Sequence, residues 1–222
     1  MFRFFVAKKE DNYFILDNET LKHIKVARVN NKEFICVYEK YFYLCVLEDQ
    51  KALIIKKLDD NHEFENKVII AAAIISIKRF EWLIQKATEL GASELWPIYS
   101  ENMKQKLGNN IEHKVERWNL IAKNAAEQSF RNKAMIVKMP IHFKDVVNVK
   151  IKNKYIAHEK AENSLTNYFF EQDSIFLVGP EGGFSENEVN LAKKNNFKVI
   201  SLGKRILRAE TASIFILSRI KQ

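Results

Sequence analysis

Three glycines, a proline and a glutamate fall together in the run Leu177, Val178, Gly179, Pro180, Glu181, Gly182, Gly183, Phe184. The chain has only six glycines and three prolines, and residues 1–90 contain no glycine at all. A main chain that reserves its permissive backbone for one point makes a sharp turn there, or lets a ligand approach its N–H groups. Neither G-x-G-x-x-G nor G-x-x-x-x-G-K-[ST] is present, and the Glu181 carboxylate would repel a phosphate. The loop therefore suits a neutral or cationic ligand. A tight connection that needs positive φ at Gly182 or Gly183 is the plain alternative.

A second run, Ser201 to Ser213, ends a strand-like stretch at Gly203 and sets Lys204, Arg205 and Arg208 ahead of Glu210 and Thr211 at a helix start. Cations oppose the positive end of a helix, so helix stability does not explain them. An anionic partner does, and a solvated basic turn is the alternative. Net charge of +8 and a pI of about 9.3 agree with a polyanion, because neutralising phosphates releases condensed counterions. His23, His62, His113, His142 and His158 are scattered without metal-motif spacing, so no metal site is expected. Cys36 and Cys45 lie in neighbouring strand-like runs and read as reduced core thiols.

The elements that must position these runs follow two rhythms. From Phe2 to about Leu58 the chain reads as short strands, YFILD, EFICVY, YFYLCVLE and KALIIKKL, interrupted by one helix in NETLKHIKVARV with Leu21, Ile24 and Arg28 on one face. Such strands build a small barrel or sandwich, closed by the polar linker Asp59 to Asn66. Beyond Lys67, strands and helices alternate. VIIAAAI, SELWPIYS, NKYIAHE, SIFLVG and FKVISLG read as strands. KRFEWLIQKATEL, stopped by Gly91, and HKVERWNLIAKNAAEQSFR, with Val115, Trp118, Ala122 and Ala125 inward, read as helices. Ser185 and Glu188 form a capping box for a further helix, and LRAETASIFILSRI is the last. The expectation is a domain over residues 1–67 and an α/β domain with a mostly parallel sheet over 68–222. No apolar run reaches the ~18 residues of a membrane span, and the N-terminus lacks a secretory pattern, so the sequence reads as a cytoplasmic protein.

Gly179-Pro180-Glu181-Gly182-Gly183 and Leu202-Gly203-Lys204-Arg205-Ile206-Leu207-Arg208-Ala209-Glu210-Thr211-Ala212 resemble the GPEGG and LGxRILRxETA signatures of the SPOUT methyltransferases. More narrowly, they resemble the RsmE family, which methylates N3 of a uridine in 16S ribosomal RNA. Gln85 to Gly91 (QKATELG), Arg117 to Arg131 (RWNLIAKNAAEQSFR) and His23 to Arg28 (HIKVAR) also match its pattern, so the resemblance spans nearly the whole chain. Lys204 and Ala209 depart from the Pro and Thr of the family, Asn102 replaces an Arg that would contact RNA or substrate, and the N-terminal module lacks the glycines usual there.

The resemblance implies an N-terminal PUA-like barrel that grips RNA, a trefoil-knotted C-terminal domain, S-adenosylmethionine as methyl donor, 16S rRNA or the small ribosomal subunit as partner, no metal, and a homodimer in which Ala212 to Ile220 is a candidate interface. That helix buried within one subunit is the alternative. The implied donor-binding residues are Leu177, Gly179, Pro180, Glu181, Gly182, Gly183, Leu202, Gly203, Ile206, Leu207, Thr211 and Ala212, with glycines where a Cβ would hold the ligand off. Arg208 would stabilise the anion developing on the base, and Glu210, Glu181 or a water would take the N3 proton. Arg3, Lys25, Arg28, Arg131 and Arg205 would contact RNA. Two other functions are compatible with the motifs, a ribose 2′-O-methyltransferase and a non-catalytic RNA-binding or ribosome-assembly factor. A dinucleotide-dependent oxidoreductase is disfavoured by the missing fingerprint.

Overall fold

The computed structural model describes residues 1–29, 32–161 and 172–220. Contacts divide the chain into two units: Met1–Glu63 together with Ala126–Ala134, and Phe64–Ala125 with the chain from Met135 onward. Periodicity alone assigned 126–134 to the second domain, because a helix that spans a division shows no break in its pattern.

The first unit holds β1 (Arg3–Phe5), β2 (Lys8–Glu10), β3 (Tyr13–Ile15), helix α1 (Asn18–Val26), β4 (Phe34–Tyr38), β5 (Tyr41–Glu48) and β6 (Lys51–Leu58). These strands form one six-stranded sheet in the order β1-β4-β5-β6-β3-β2, antiparallel except for the β1–β4 pair. The sequence patterns found β3 to β6 and missed the short β1 and β2. Asp17 starts α1 by accepting the Thr20 N–H at 2.7 Å, and Ile24 joins a core of Phe4, Phe14 and Phe34. Cys36 and Cys45 are free and buried in the same core.

The β4–β5 and β5–β6 hairpins explain how this unit manages without glycine. Their two-residue turns place Glu39 and Lys40 at φ 48° and 72°, and Asp49 and Gln50 at φ 43° and 63°. Paired left-handed residues match the twist of the flanking strands, and glycine is the usual choice. Here ordinary side chains carry that conformation, at about 1 kcal/mol or more per residue.

The second unit holds β7 (Val68–Ala73), α2 (Ile77–Glu89), β8 (Glu94–Tyr99), α3 (Ile111–Gln128, its last three residues grouped with the first unit), β9 (Ile136–Val137), β10 (Ile141–His142), α4 (Phe143–Val146), β11 (Asn153–Ala157), β12 (Ser174–Val178), α5 (Glu186–Lys194), β13 (Lys198–Ile200) and α6 (Ala209–Leu217). All pairings in its seven-stranded sheet are parallel, in the order β10-β8-β7-β12-β11-β13, with β9 on β8. This is the α/β fold expected, and β9, β10 and α4 are elements too short for periodicity to reveal.

Every residue of β7 is buried. Val68, Ile70 and Ala72 face a cluster with Phe80 of α2, Trp118 of α3 and Ile216 of α6, whereas Ile69, Ala71 and Ala73 face Phe143 of α4 and Val189 of α5. A parallel strand covered on both faces reads as continuous apolar sequence, as VIIAAA does. Ser185 and Glu188 form the expected capping box of α5. Gly91 terminates α2 at φ 88°, and a Cβ there would come within 2.8 Å of Phe64 ring atoms. No helix among the described residues is long and apolar enough to cross a membrane.

Candidate active site

Strands β11, β12 and β13 are neighbours in the sheet and point the same way, so the loops leaving their carboxyl ends meet. Open parallel sheets bind ligands at such ends. A cavity of about 470 Å³ lies there, within the range of small-molecule sites. Its walls are Ala157 to Lys160 after β11, Val178 to Phe184 after β12, and Leu202, Gly203, Arg205, Ile206 and Leu207 after β13, with Ala209 and Ala212 from α6.

Ten of the twelve donor-binding residues named from sequence therefore line one space: Gly179, Pro180, Glu181, Gly182, Gly183, Leu202, Gly203, Ile206, Leu207 and Ala212. Two do not. Leu177 is wholly buried in the cluster on the α4–α5 side of the sheet, because the strand alternation turns it away, and Thr211 points outward from the first turn of α6. The β11 loop with His158, Glu159 and Lys160 was missed, since nothing local in YIAHEK marks it as a neighbour of the glycines.

The glycines are required by the protein as much as by any ligand. A Cβ on Gly179 would lie 3.1 Å from the Phe184 nitrogen, and one on Gly182 would lie 3.2 Å from Cβ of Asn102. Gly183 is different: its φ of 66° is left-handed and open space lies beside it. At Gly179 and Gly182 the loop's own packing already leaves little room for a Cβ.

Asn102 also has a role that sequence did not disclose. Its Nδ2 donates to the carbonyls of Gly182 and Gly183 at 3.2 and 3.1 Å, closing the loop from outside. The position expected to lose a substrate contact instead supports the loop. Nearby, the Glu188 carboxylate accepts the N–H groups of Ser185 and Glu101 at 2.9 and 3.0 Å, tying α5 to the end of β8.

The charged groups are organised by a residue that the motifs did not include. Arg79, in the first turn of α2, donates from Nε and Nη2 to Oε1 and Oε2 of Glu210 at 2.9 and 2.6 Å, and from Nη1 to Oε1 of Glu181 at 2.6 Å. Burial alone would raise the Glu210 pKa, but the hydrogen bonds and charge of Arg79 outweigh it and hold the carboxyl below its ordinary value. Both oxygens of Glu210, one of the three proton acceptors named from sequence, are thereby engaged by Arg79. Arg208 caps α6 with an exposed side chain, between Leu207 and Ala209 of the cavity wall, and among the described residues it makes no ion pair.

The residues named for RNA divide. Lys25, Arg205 and Arg28 are exposed, Arg28 in a left-handed turn at φ 54°. Arg3 is engaged within its unit, donating to the Gln128 carbonyl at 3.0 Å with its guanidinium 4.5 Å from the Phe130 ring centre. Arg131 is corrected outright: it is 4% exposed and ion-paired with Glu63, whose Oε1 also accepts the N–H groups of Asn132 and Lys133. It is a structural residue, since a buried charge with its partner in place has nothing left for solvent-side phosphate.

Comparison with known proteins gives the same class as the site. A family model described as an RNA methyltransferase domain matches residues 62–221. Ribosomal RNA small subunit methyltransferase E of Mesomycoplasma hyopneumoniae (strain 232) is 47% identical over 99% of this chain and 98% of its own, and that of Bacillus subtilis (strain 168) is 32% identical over 93% and 89%. A crystal structure of ribosomal RNA small subunit methyltransferase E from Neisseria gonorrhoeae, bound to S-adenosyl methionine, superposes with a TM-score of 0.90 at 26% identity, covering 98% of this chain and 95% of that one. The chain belongs to the ribosomal RNA small subunit methyltransferase E family.

Proposed function

We propose that this protein methylates N3 of a uridine in 16S ribosomal RNA with S-adenosylmethionine as donor. The observation that carries the reading is the single cavity formed by the Gly179–Gly183 loop, the Leu202–Leu207 loop and the start of α6, in a chain 47% identical over 99% of its length to a ribosomal RNA small subunit methyltransferase E.

The donor supplies a methyl group on a sulfonium sulfur. The cavity fits it on three counts: a volume within the small-molecule range, a wall of both main-chain and apolar groups, and the Glu181 carboxylate at its edge, which tolerates a positive ligand. The ten lining residues named above would hold it through main-chain groups, together with Ala157 and His158. Leu177 supports them from the core, and Thr211 stands at the head of α6.

Methyl transfer needs donor and acceptor aligned, and no metal has to take part. Arg208, exposed and unpaired among the described residues, stabilises the anion that develops on the base oxygens. The N3 proton passes to water, because Glu210 has both oxygens on Arg79 and Glu181 shares one with it. The six-stranded first unit serves as the PUA-like RNA module, with Lys25 and Arg28 on it and Arg205 on the second unit. The knot of SPOUT enzymes would run through the 179–211 segment. A homodimer would use the half-buried Ile214 of α6 and the exposed edge of the half-buried Phe215, since the helix's other apolar side chains are buried within the subunit. A ribosomal RNA substrate fits a cytoplasmic enzyme.

Mass spectrometry of 16S RNA nucleosides, after incubation with enzyme and donor, tests this reading. 3-Methyluridine is expected; a methylated ribose points to the 2′-O alternative, and no product with retained RNA binding points to the assembly-factor alternative. RNA affinity is expected to fall steeply with salt.

A further inference from the structure

Arg79 stands where helix physics disfavours it. The first turn of α2 contains Lys78 and Arg79 and no acidic residue, and Ser76 makes no side-chain cap bond. Cations at that end face the positive pole of the helix. What compensates is two carboxylates 102 and 131 residues away in sequence, Glu181 in the glycine-rich loop and Glu210 in the first turn of α6. The fork onto Glu210 uses Nε and Nη2, leaving Nη1 for Glu181, so one guanidinium satisfies both walls at once. A lysine ammonium cannot make that parallel fork.

The two carboxylates belong to different segments that meet at the cavity. Glu181 is one of its lining residues, and Glu210 lies between Ala209 and Ala212, which also line it. Glu210 has a side chain only 9% exposed, against 43% for Glu181 and 30% for Arg79. Without Arg79, a buried carboxylate would face a second one within reach of the same guanidinium, and their repulsion would fall on the more exposed partner, Glu181 of the loop.

We propose that Arg79 is a positioning residue for the donor: by bridging Glu181 and Glu210 it fixes the glycine-rich loop against the start of α6 and so sets the width of the cavity. This rests on the reading of that cavity as the S-adenosylmethionine site. Arg79 touches neither reacting atom; it acts through the loop.

Calorimetric titration with S-adenosylmethionine, combined with steady-state kinetics on 16S RNA, tests it. Arg79→Ala is expected to weaken donor binding by at least tenfold and raise the donor KM in parallel, while the KM for RNA and kcat at saturation stay within about threefold. Arg79→Lys should recover part of the loss, because charge returns without the fork. The deciding variant is Arg79→Ala combined with Glu181→Gln: because both residues act through one bridge, the double variant should bind donor no more weakly than Arg79→Ala alone, whereas independent contacts would multiply their losses. Should Arg79→Ala fold poorly, Arg79→Lys and Glu181→Gln alone carry the test, each expected to weaken the donor severalfold. Donor affinity within twofold of wild type in Arg79→Ala, or losses that multiply in the double variant, overturns the proposal. A loss confined to the KM for RNA also overturns it, making Arg79 a substrate contact. A wild-type protein that binds no donor removes the reading beneath it as well.

Discussion

Two arginine–glutamate pairs, one in each unit, use the same chemistry to opposite ends. In the first, Arg131 and Glu63 are 4% and 12% exposed, and the carboxylate also gathers the N–H groups of Asn132 and Lys133. In the second, Arg79 divides itself between Glu210 and the more exposed Glu181, a residue of the cavity wall. When both ends of a pair are shut away from water and the remaining lone pairs take backbone donors, the pair holds a chain crossing in place. A pair left partly in solvent, with a third charged partner on a loop, ties that loop to a second element beside a cavity. Burial of both partners, rather than the residue types, separates the two roles.

The comparison is broken most directly at Arg131. Arg131→Ala leaves Glu63 buried without its partner and is expected to cost ~3–5 kcal/mol in urea unfolding, with donor affinity unchanged in the folded fraction. An effect under ~1 kcal/mol would mean that Arg131 is not structural. Next in size is Arg208→Ala, for which single-turnover methyl transfer should slow by ~100- to 1000-fold, about 2.7–4 kcal/mol, without loss of thermal stability.

Glu210→Gln sharpens the contrast between binding a cation and accepting a proton. Turnover at saturating donor is expected to stay within ~10-fold of wild type, whereas a general base would lose ~100-fold or more. The pH dependence follows from the depressed pKa of Glu210. A carboxylate held below its ordinary value contributes fully above that value and loses its contribution only as pH falls through the lower, folded-state value. Donor affinity should therefore be flat from about pH 8 to about pH 5 and decline only further down. A midpoint near pH 6 in the titration would contradict the bridge.

Smaller effects distinguish the two kinds of turn. Asn102→Ala removes two hydrogen bonds to the glycine-rich loop and should weaken donor binding by ~5- to 10-fold, about 1–1.4 kcal/mol, read by calorimetry. Gln50→Gly, in a hairpin that carries a left-handed side chain, should raise the unfolding free energy by up to ~1 kcal/mol and leave catalysis untouched. A destabilised Gln50→Gly protein would show that the turn residue makes a contact worth more than its strain.

Much of this architecture is legible in the residues because it depends on local physics. The buried strand Val68–Ala73, the helices carrying Phe80 and Trp118, the capping box of Ser185 and Glu188, and the stop at Gly91 each follow from period, cap or turn preference over a few positions. The short β1, β2, β9 and β10 escape such reading because two or three residues cannot establish a period, and their pairing energy comes from neighbours distant in sequence. The left-handed turns at Glu39–Lys40 and Asp49–Gln50 escape it because the residues that usually mark them are missing.

By itself, then, the sequence determined the alternation that makes a parallel α/β unit, the two signature runs, and the excess of cations that fits an RNA partner. Tertiary structure alone decided which charges meet. Arg131 and Arg79 look alike in one dimension; one became a buried support and the other a bridge between Glu181 and Glu210, because hydrogen bonds over 68 residues in one case, and over 102 and 131 in the other, depend on how strands β11, β12 and β13 and the segment after α3 are placed. Coulomb attraction and desolvation are set by distance in space and by access of water, and neither is written in the spacing of residues along the chain.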